Sequence, residues 1–170
     1  VDVAKALVQK GWDILSFNGL TEISDELLMV LAGAKYTKLS LNGITNLTDN
    51  QWKVLNDSKL RGIALDGLDE LPRAFYTTHG SRKNLSFNGV KSLSVPSDEN
   101  YFCSTSDLSL NGLESIEPAD FDFLLRTVNG KLSLDGLTQL NVEYAKSFRN
   151  TEISALSLNG LSTFDIPIWT

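Results

Sequence analysis

The sequence predicts an α/β fold of the solenoid type: a right-handed stack of seven coils, each with a short parallel strand and a helix or an irregular outer segment. Three observations lead to this prediction. The pattern Leu-Ser-Leu-Asn-Gly-Leu, or a close variant, recurs seven times in 170 residues. Its glycines lie 22 to 24 residues apart, and apolar residues with helical spacing follow at least four of the copies.

Seven units, numbered 1 to 7 along the chain, are defined by this pattern. Their six-residue segments start at Leu15, Leu39, Ile63, Leu85, Leu108, Leu132 and Leu156. In every segment the first, third and sixth residues are apolar, and so is the residue three places after the sixth. Four positions in each of seven units give 28 positions, and all 28 are apolar. This uniformity indicates one continuous core through all units.

Each unit has a strand, a turn and an outer segment. The alternation in Leu-Ser-Leu predicts a strand with its middle residue exposed. The Asn-Gly or Asp-Gly that follows predicts a sharp turn through residues that tolerate positive φ. Apolar pairs nine and twelve places after the glycine predict a helix. These pairs are Leu28 with Leu31, Trp52 with Leu55, Phe121 with Leu124, and Ala145 with Phe148.

Capping signals mark several helix ends. We expect helices to start at Ser24, at Thr48 with Gln51 three residues on, and at Pro118. Gly33 and Asn129-Gly130 are suitable stops. The chain is predicted to be a single domain over 1–170, with a capping helix at about 1–12, repeats over about 13–164 and a tail at 165–170. Because no Met or leader precedes Val1, we expect a part or a processed form of a longer protein.

An all-β parallel β-helix is the structural alternative, since it also stacks units of this length. The segments 24–34 and 118–128 argue against it, because their Leu, Met, Ala and Phe residues follow helical and not alternating spacing.

Composition excludes several kinds of function. With 15 basic and 21 acidic residues, the net charge of −6 is unsuited to binding a phosphate backbone, so no nucleic acid partner is expected. No apolar run approaches the roughly 20 residues of a membrane span, so no membrane insertion is expected. One cysteine and one histidine leave no basis for a disulfide within the chain or a Cys/His metal site. Only Asp66 and Asp135 among the turn residues are acidic, which argues against calcium. We therefore expect no cofactor.

Catalytic arrangements are also missing from the pattern. The middle strand residues are expected to form an exposed column, which contains Ser16, Ser40, Ala64, Ser86, Ser109, Ser133 and Ser157. A serine hydrolase needs one serine with a base and an orienting group, and nothing distinguishes one of these six. His79 and Cys103 likewise lack a third group. The chain is therefore expected not to be an enzyme.

The period, the Leu-x-Leu strand and the one helix per unit resemble the leucine-rich repeat proteins over essentially the whole chain. The Leu-Ser-Leu-Asn-Gly-Leu-x-x-Leu units are similar to repeat tracts of bacterial surface and secreted proteins. This chain differs from the usual family pattern, because its Asn or Asp lies two residues before the family's ladder position. The resemblance implies a binding scaffold, and it favours a secreted or cell-surface location without fixing one.

The outer segments of units 3 and 4 depart most from the pattern. Residues 71–83 and 94–103 combine a basic cluster with aromatic side chains, as protein interfaces often do. The segments are interpreted either as degenerate repeats or as a partner-binding patch. The candidate partner-binding residues are Arg73, Tyr76, His79, Arg82 and Tyr101.

The function expected from the sequence is a non-enzymatic protein–protein interaction module within a larger bacterial protein. A purely structural spacer and a carbohydrate-binding module are the alternatives. The identity of the protein partner is open, and a monomer is favoured.

Overall fold

Residues 2–35, 37–77, 83–96 and 104–164 are described by the structure, which is a computed structural model. The fold is α/β, with a seven-stranded parallel sheet and helices between the strands. The sheet strands are β1 Ile14–Ser16, β2 Lys38–Ser40, β3 Gly62–Ala64, β4 Asn84–Ser86, β5 Leu108–Ser109, β6 Lys131–Ser133 and β8 Ala155–Ser157. Two short strands, β7 Gln139–Leu140 and β9 Thr163–Phe164, form a separate parallel pair.

The order of strands in the main sheet follows their order in the chain, so β1 and β8 are its two edge strands. The register is equally regular, because the first apolar residue of each unit pairs with the first apolar residue of the next. Leu15 pairs with Leu39, for example, and Leu132 pairs with Leu156. The predicted strand positions and their parallel pairing are confirmed.

Helices connect most of these strands. They are α1 Asp2–Gln9, α2 Asp25–Ala32, α3 Asp49–Asp57, α4 Arg73–Thr77, α5 Pro118–Thr127 and a 3₁₀ helix Val142–Asn150. Neighbouring helices pack together in chain order: α1 on α2, α2 on α3, α3 on α4, and α5 on the 3₁₀ helix. Residues 91–96, the described part of the unit 4 outer segment, contain neither helix nor strand.

The predicted helix starts are confirmed. The Ser24 hydroxyl accepts the Leu27 N–H at 3.3 Å, and Thr48 and Gln51 form a reciprocal capping box. Pro118 begins α5. The predicted stop at Gly33 is confirmed, because Gly33 caps the C-terminal end of α2. The second stop is displaced, because α5 ends at Thr127, before Asn129.

The helix predicted for unit 6 is a 3₁₀ helix, and its buried face was predicted wrongly. Ala145 is exposed, and Phe148 is 38% exposed although its ring contacts Phe121. Tyr144 is half-buried against Phe121 instead, and its hydroxyl donates to the Ile116 carbonyl. A spacing of three residues suits the three residues per turn of a 3₁₀ helix as well as an α-helix, so the pattern could not distinguish the two.

Side chains from strands and helices share one core. The repeated apolar positions of units 2 to 6 are buried except Leu71, which is half-buried. An aromatic cluster fills the middle of this core, where the Trp52 ring lies 5.6 Å from Phe75 and 5.7 Å from Phe87 between centroids. Such pairs are favourable beyond the area they bury.

The sequence suggested positive φ for the glycines of the repeated turns, but these glycines do not adopt it. Among the described glycines only Gly11 does, with φ of 71°. The glycines of units 2 to 7 are required by close approach instead, because a Cβ there would lie about 3 Å or less from two backbone carbonyl oxygens of the preceding unit. Gly19 of unit 1 has no preceding unit, and nothing lies within 4 Å of its Cβ position.

Candidate functional site

The outer face of the sheet carries two columns of side chains. The serine column contains the middle residues of the pattern. The first column contains the residue that precedes each unit, namely Ile14, Lys38, Gly62, Asn84, Asp107, Lys131 and Ala155. Lys38 and Lys131 are exposed, and Asn84 and Asp107 are half-buried.

The serine column is joined to a ladder of Asn and Asp side chains. In each of units 1 to 6 the Oδ1 of the turn Asn or Asp accepts the backbone N–H of the corresponding residue in the next unit, at 2.9 to 3.2 Å. The same oxygen also accepts the hydroxyl of the next serine, as in Ser109 to Asn88 at 2.7 Å. Asn88 thus joins its unit to both Ser109 and the Asn111 N–H.

This ladder gives the serine column a structural role. The hydroxyls of Ser40, Ser86, Ser109, Ser133 and Ser157 all donate to the ladder oxygen of the preceding unit. The Asn or Asp side chain of each unit thus bonds the backbone of the next unit. Unit 3 has Ala64 in this column and therefore lacks the serine hydroxyl. A different hydrogen bond joins it to unit 2, because Asn42 Nδ2 donates to Asp66 Oδ2 at 3.0 Å.

Asp135 is the ladder acceptor whose pKa is shifted. The Asn159 N–H and the Ser157 hydroxyl, which donate to Oδ1, hold the pKa of Asp135 below its ordinary 3.8. A lowered pKa in the folded state means that this group stabilises the fold above about pH 3.8 and that the contribution is lost as the pH falls through the folded-state pKa.

Asp135→Asn should therefore reduce the acid sensitivity of the fold, because the uncharged amide removes the stability that the carboxylate contributes at neutral pH and loses in acid. An amide keeps the Oδ1 acceptor, and its NH₂ can donate to Ser133 as Asn159 Nδ2 donates to Ser157 at 3.0 Å. Urea unfolding of parent and variant from pH 7 to pH 2.5 would measure the difference. We expect the free energy of unfolding of the variant to rise relative to that of the parent below pH 4. A difference between the two that stays constant from pH 7 to pH 2.5 would contradict the prediction.

Lys83 is a buried cation that the sequence placed in an exposed basic cluster. It is only 4% exposed, and its Nζ donates to the carbonyls of Asn56 and Ser58, at 2.7 Å each, where α3 ends. Burial lowers the pKa of Lys83 below 10.5, and the nearby Asp57 opposes that shift. The lysine therefore supplies donors to two backbone carbonyls at the C-terminal end of α3.

Lys83→Met is expected to lower the free energy of unfolding by about 2 to 4 kcal/mol, because two carbonyls lose their donor. The matched control is Lys131→Met, which removes an exposed lysine. Since the folded-state pKa is lowered, stability of the parent relative to Lys83→Met should rise as the pH rises from that pKa toward 10.5. Chemical denaturation at pH 7 and pH 10 tests both statements, and equal losses for the two variants would refute the buried role.

A depression of about 270 Å³ interrupts the outer face at unit 3. It exists because Gly62 and Ala64 stand where neighbouring units carry longer side chains. Lys38 and Ser40 border one side, and Asn84 and Ser86 border the other. The lining is predominantly apolar. Ala64 was visible in the sequence as a break in the serine column, and Gly62 was overlooked although the alternation of a strand places it on the same face.

Two of the sequence-predicted site residues, Arg73 and Tyr76, lie in the described ranges, and both line one groove. Arg73 is exposed and lines this groove, of about 350 Å³, with Glu70 and Ser94. Tyr76 lines the same groove, is 5% exposed and packs on Phe75 and on Phe123 of α5. It reaches α5 across unit 4, whose described outer segment has no helix. His79, Arg82, Tyr101 and the weighed Cys103 lie outside the described residues.

Searches within the described ranges give two further findings. No group of three or more His, Cys, Asp or Glu side chains there could hold a metal ion. No helix in that part of the chain is long and apolar enough to cross a membrane. Comparison with protein-family models, with curated proteins and with solved structures finds no match to this chain.

Proposed function

We propose that the chain is a right-handed solenoid of seven coils, similar to leucine-rich repeat proteins, and that it acts as a non-enzymatic protein-binding module of a larger bacterial protein. The in-register order of strands and the packing of successive helices support the solenoid. The ladder supports it further, because it repeats the same bonds between each pair of units.

The depression at unit 3 is the observation on which the binding role depends. A side chain that enters it meets apolar surface from the strands, with the exposed Lys38 ammonium within reach at its border. Lys38 forms no ion pair with any residue of the described ranges. The partner that fits this chemistry is a protein segment with an apolar side chain beside an Asp or Glu, since apolar anchors in pockets dominate interface energy.

A purely structural spacer explains the depression at unit 3 less well than a binding module does. A solenoid that only separates other domains places no demand on its outer face, so a spacer role gives no reason for a depression in one unit. The loss of both outward side chains in one unit creates a distinct place on an otherwise regular surface. Distinct groups at distinct places are what specific recognition requires.

The experiment compares four variants for capture of host proteins and, once a partner is identified, for its Kd by calorimetry. Ala64→Leu fills the depression, and Lys38→Glu reverses the charge at its border. Lys131→Glu is the matched control, with the same charge change in the same column four strands away. Arg73→Ala tests the outer segment of unit 3. We expect Kd to rise about tenfold or more for Ala64→Leu and Lys38→Glu only.

Other outcomes would revise this function. Loss of binding only in Arg73→Ala would move the site to the outer segment. Loss of binding in Lys131→Glu as well would show a diffuse charge effect. Retention of no host protein by the parent would favour the spacer.

A further inference from the structure

The ladder is built mainly from a chemically unstable dipeptide. Asn is followed directly by Gly in five of the seven ladder turns, and once more outside the ladder at Asn129-Gly130. In this dipeptide the backbone nitrogen of the glycine attacks the side-chain carbon Cγ of the asparagine, because the glycine has no side chain to hinder the approach. The repeated turns are therefore candidate sites of spontaneous chemical modification.

The reaction replaces the amide nitrogen of the asparagine by an oxygen from water. Hydroxide takes the proton of the glycine N–H, the glycine nitrogen bonds to Cγ, and the bond from Cγ to Nδ2 breaks. The leaving nitrogen takes a proton from water and departs as ammonia, which regenerates the hydroxide. Water then opens the resulting five-membered succinimide ring at one of its two carbonyl carbons. One opening gives Asp, and the other gives isoaspartate, in which the backbone runs through the former side-chain carbon.

The attacking nitrogen makes no hydrogen bond in the internal ladder turns. The N–H groups of Gly89 and Gly112 donate to no acceptor among the described residues. Asn129-Gly130 differs from these turns, because the Gly130 N–H donates to the Ser106 carbonyl at 2.7 Å. Protection of the ladder turns must therefore come from the Asn side chain and not from the glycine.

The serine column holds the Asn side chains on the next unit. The Oδ1 of Asn88 accepts the Ser109 hydroxyl at 2.7 Å and the Asn111 N–H at 3.0 Å. The Oδ1 of Asn111 accepts the Ser133 hydroxyl at 2.9 Å and the Asp135 N–H at 3.0 Å. Ring closure requires Cγ to turn towards the nitrogen of the following glycine, and this rotation takes Oδ1 away from both donors. The ladder therefore opposes the reaction as long as neighbouring units stay together.

The two products of the reaction affect the ladder differently. Asp66 and Asp135 already stand at ladder positions, and the Oδ1 of each accepts the next backbone N–H as the Asn side chains do. An Asp product therefore keeps the bond to the next unit. Isoaspartate lengthens the backbone by one carbon atom and displaces the carboxylate, so the bond is lost and the two units stay separated.

We propose that the Asn-Gly turns of the ladder are modification sites at which Asn becomes Asp or isoaspartate when two units separate, and that the serine column suppresses this modification in the intact stack. Units of a repeat protein contact mainly their neighbours, so they open locally and at different rates. The modification records such an opening as a covalent change. This role of the serines is independent of the binding role proposed for unit 3.

The test follows conversion at each Asn-Gly pair by peptide mapping with mass spectrometry, during incubation of the full chain at mildly alkaline pH. Ser109→Ala removes one donor from Asn88 Oδ1, and Ser109→Thr is the matched control that keeps the hydroxyl. We expect Ser109→Ala to raise the rate at Asn88 about fivefold, the factor that corresponds to one ordinary hydrogen bond. The rates at Asn111 and Asn129 should not change, and Ser109→Thr should convert as the parent does.

Ser133→Ala should raise the rate at Asn111 and leave the rate at Asn88 unchanged, because its hydroxyl donates only to the Asn111 side chain of these two. The parent unfolded in urea gives the unprotected rate, which we expect to be at least about tenfold higher at both residues. Equal rates in the folded and unfolded parent overturn the proposal, and so does an unchanged rate at Asn88 in Ser109→Ala. A rise at every pair alike, Asn129 included, also overturns it, because it shows global unfolding and not the loss of one local bond.

Discussion

Leu110→Asp is expected to lower the free energy of unfolding by about 5 kcal/mol or more, which is comparable to the whole stability of a typical domain. Leu110 is fully buried, and its backbone N–H donates to the Ser133 carbonyl of the next unit. A carboxylate at this place has no described cation close to it and would either remain charged in the core or take up a proton. Both outcomes strongly destabilise the folded state.

The control for this prediction is Ser115→Asp, which adds the same charge at an exposed residue of the same unit. Thermal unfolding followed by circular dichroism compares the two variants with the parent. We expect Ser115→Asp to unfold near the parent's temperature and Leu110→Asp to unfold far below it or to be unfolded throughout. An unchanged melting temperature for Leu110→Asp would mean that Leu110 does not lie in the core.

Gly112→Ala should cost about 3 kcal/mol, whereas Gly19→Ala should change stability by less than about 0.5 kcal/mol. A Cβ on Gly112 would lie 2.8 Å from the Val90 carbonyl oxygen and closer still to that of Asn88. Both oxygens belong to the backbone of a sheet-bonded unit, so relief requires units 4 and 5 to move apart. Gly19 has the same place in its unit but no preceding neighbour.

This pair separates two explanations of the repeated glycines. If the glycines served the turn conformation, both substitutions would cost the same, because the two units share one turn sequence. If they serve close approach, only Gly112→Ala is costly. Urea unfolding in dilute solution measures both free energies, and equal losses would contradict the structural explanation.

The repeated features of the fold could be predicted because local and tertiary requirements coincide there. Alternation in Leu-Ser-Leu gives the strand, and its repetition gives the register. The glycine role could not be predicted, because a requirement for positive φ and a requirement for space select the same residue. The sequence shows only that no side chain is tolerated.

The remaining failures depend on neighbours that are distant in the chain. Tyr76 is buried because Phe123 of α5 reaches it across a unit whose described outer segment has no helix. Lys83 is buried because its Nζ meets the carbonyls at the end of α3. None of these relations is present in a local pattern.

The central claim is that the turn Asn and Asp side chains bond each unit to the next. Hydrogen-bond couplings measured by NMR test it most directly, through long-range transfer from a backbone amide nitrogen to the carbonyl carbon that accepts its proton. We expect a cross-peak from the Asn111 amide to the side-chain carbonyl carbon of Asn88, with the Leu41 amide to the Ala64 carbonyl as the sheet control. A spectrum that shows the sheet control while the Asn111 amide couples to no side-chain carbonyl would contradict the ladder.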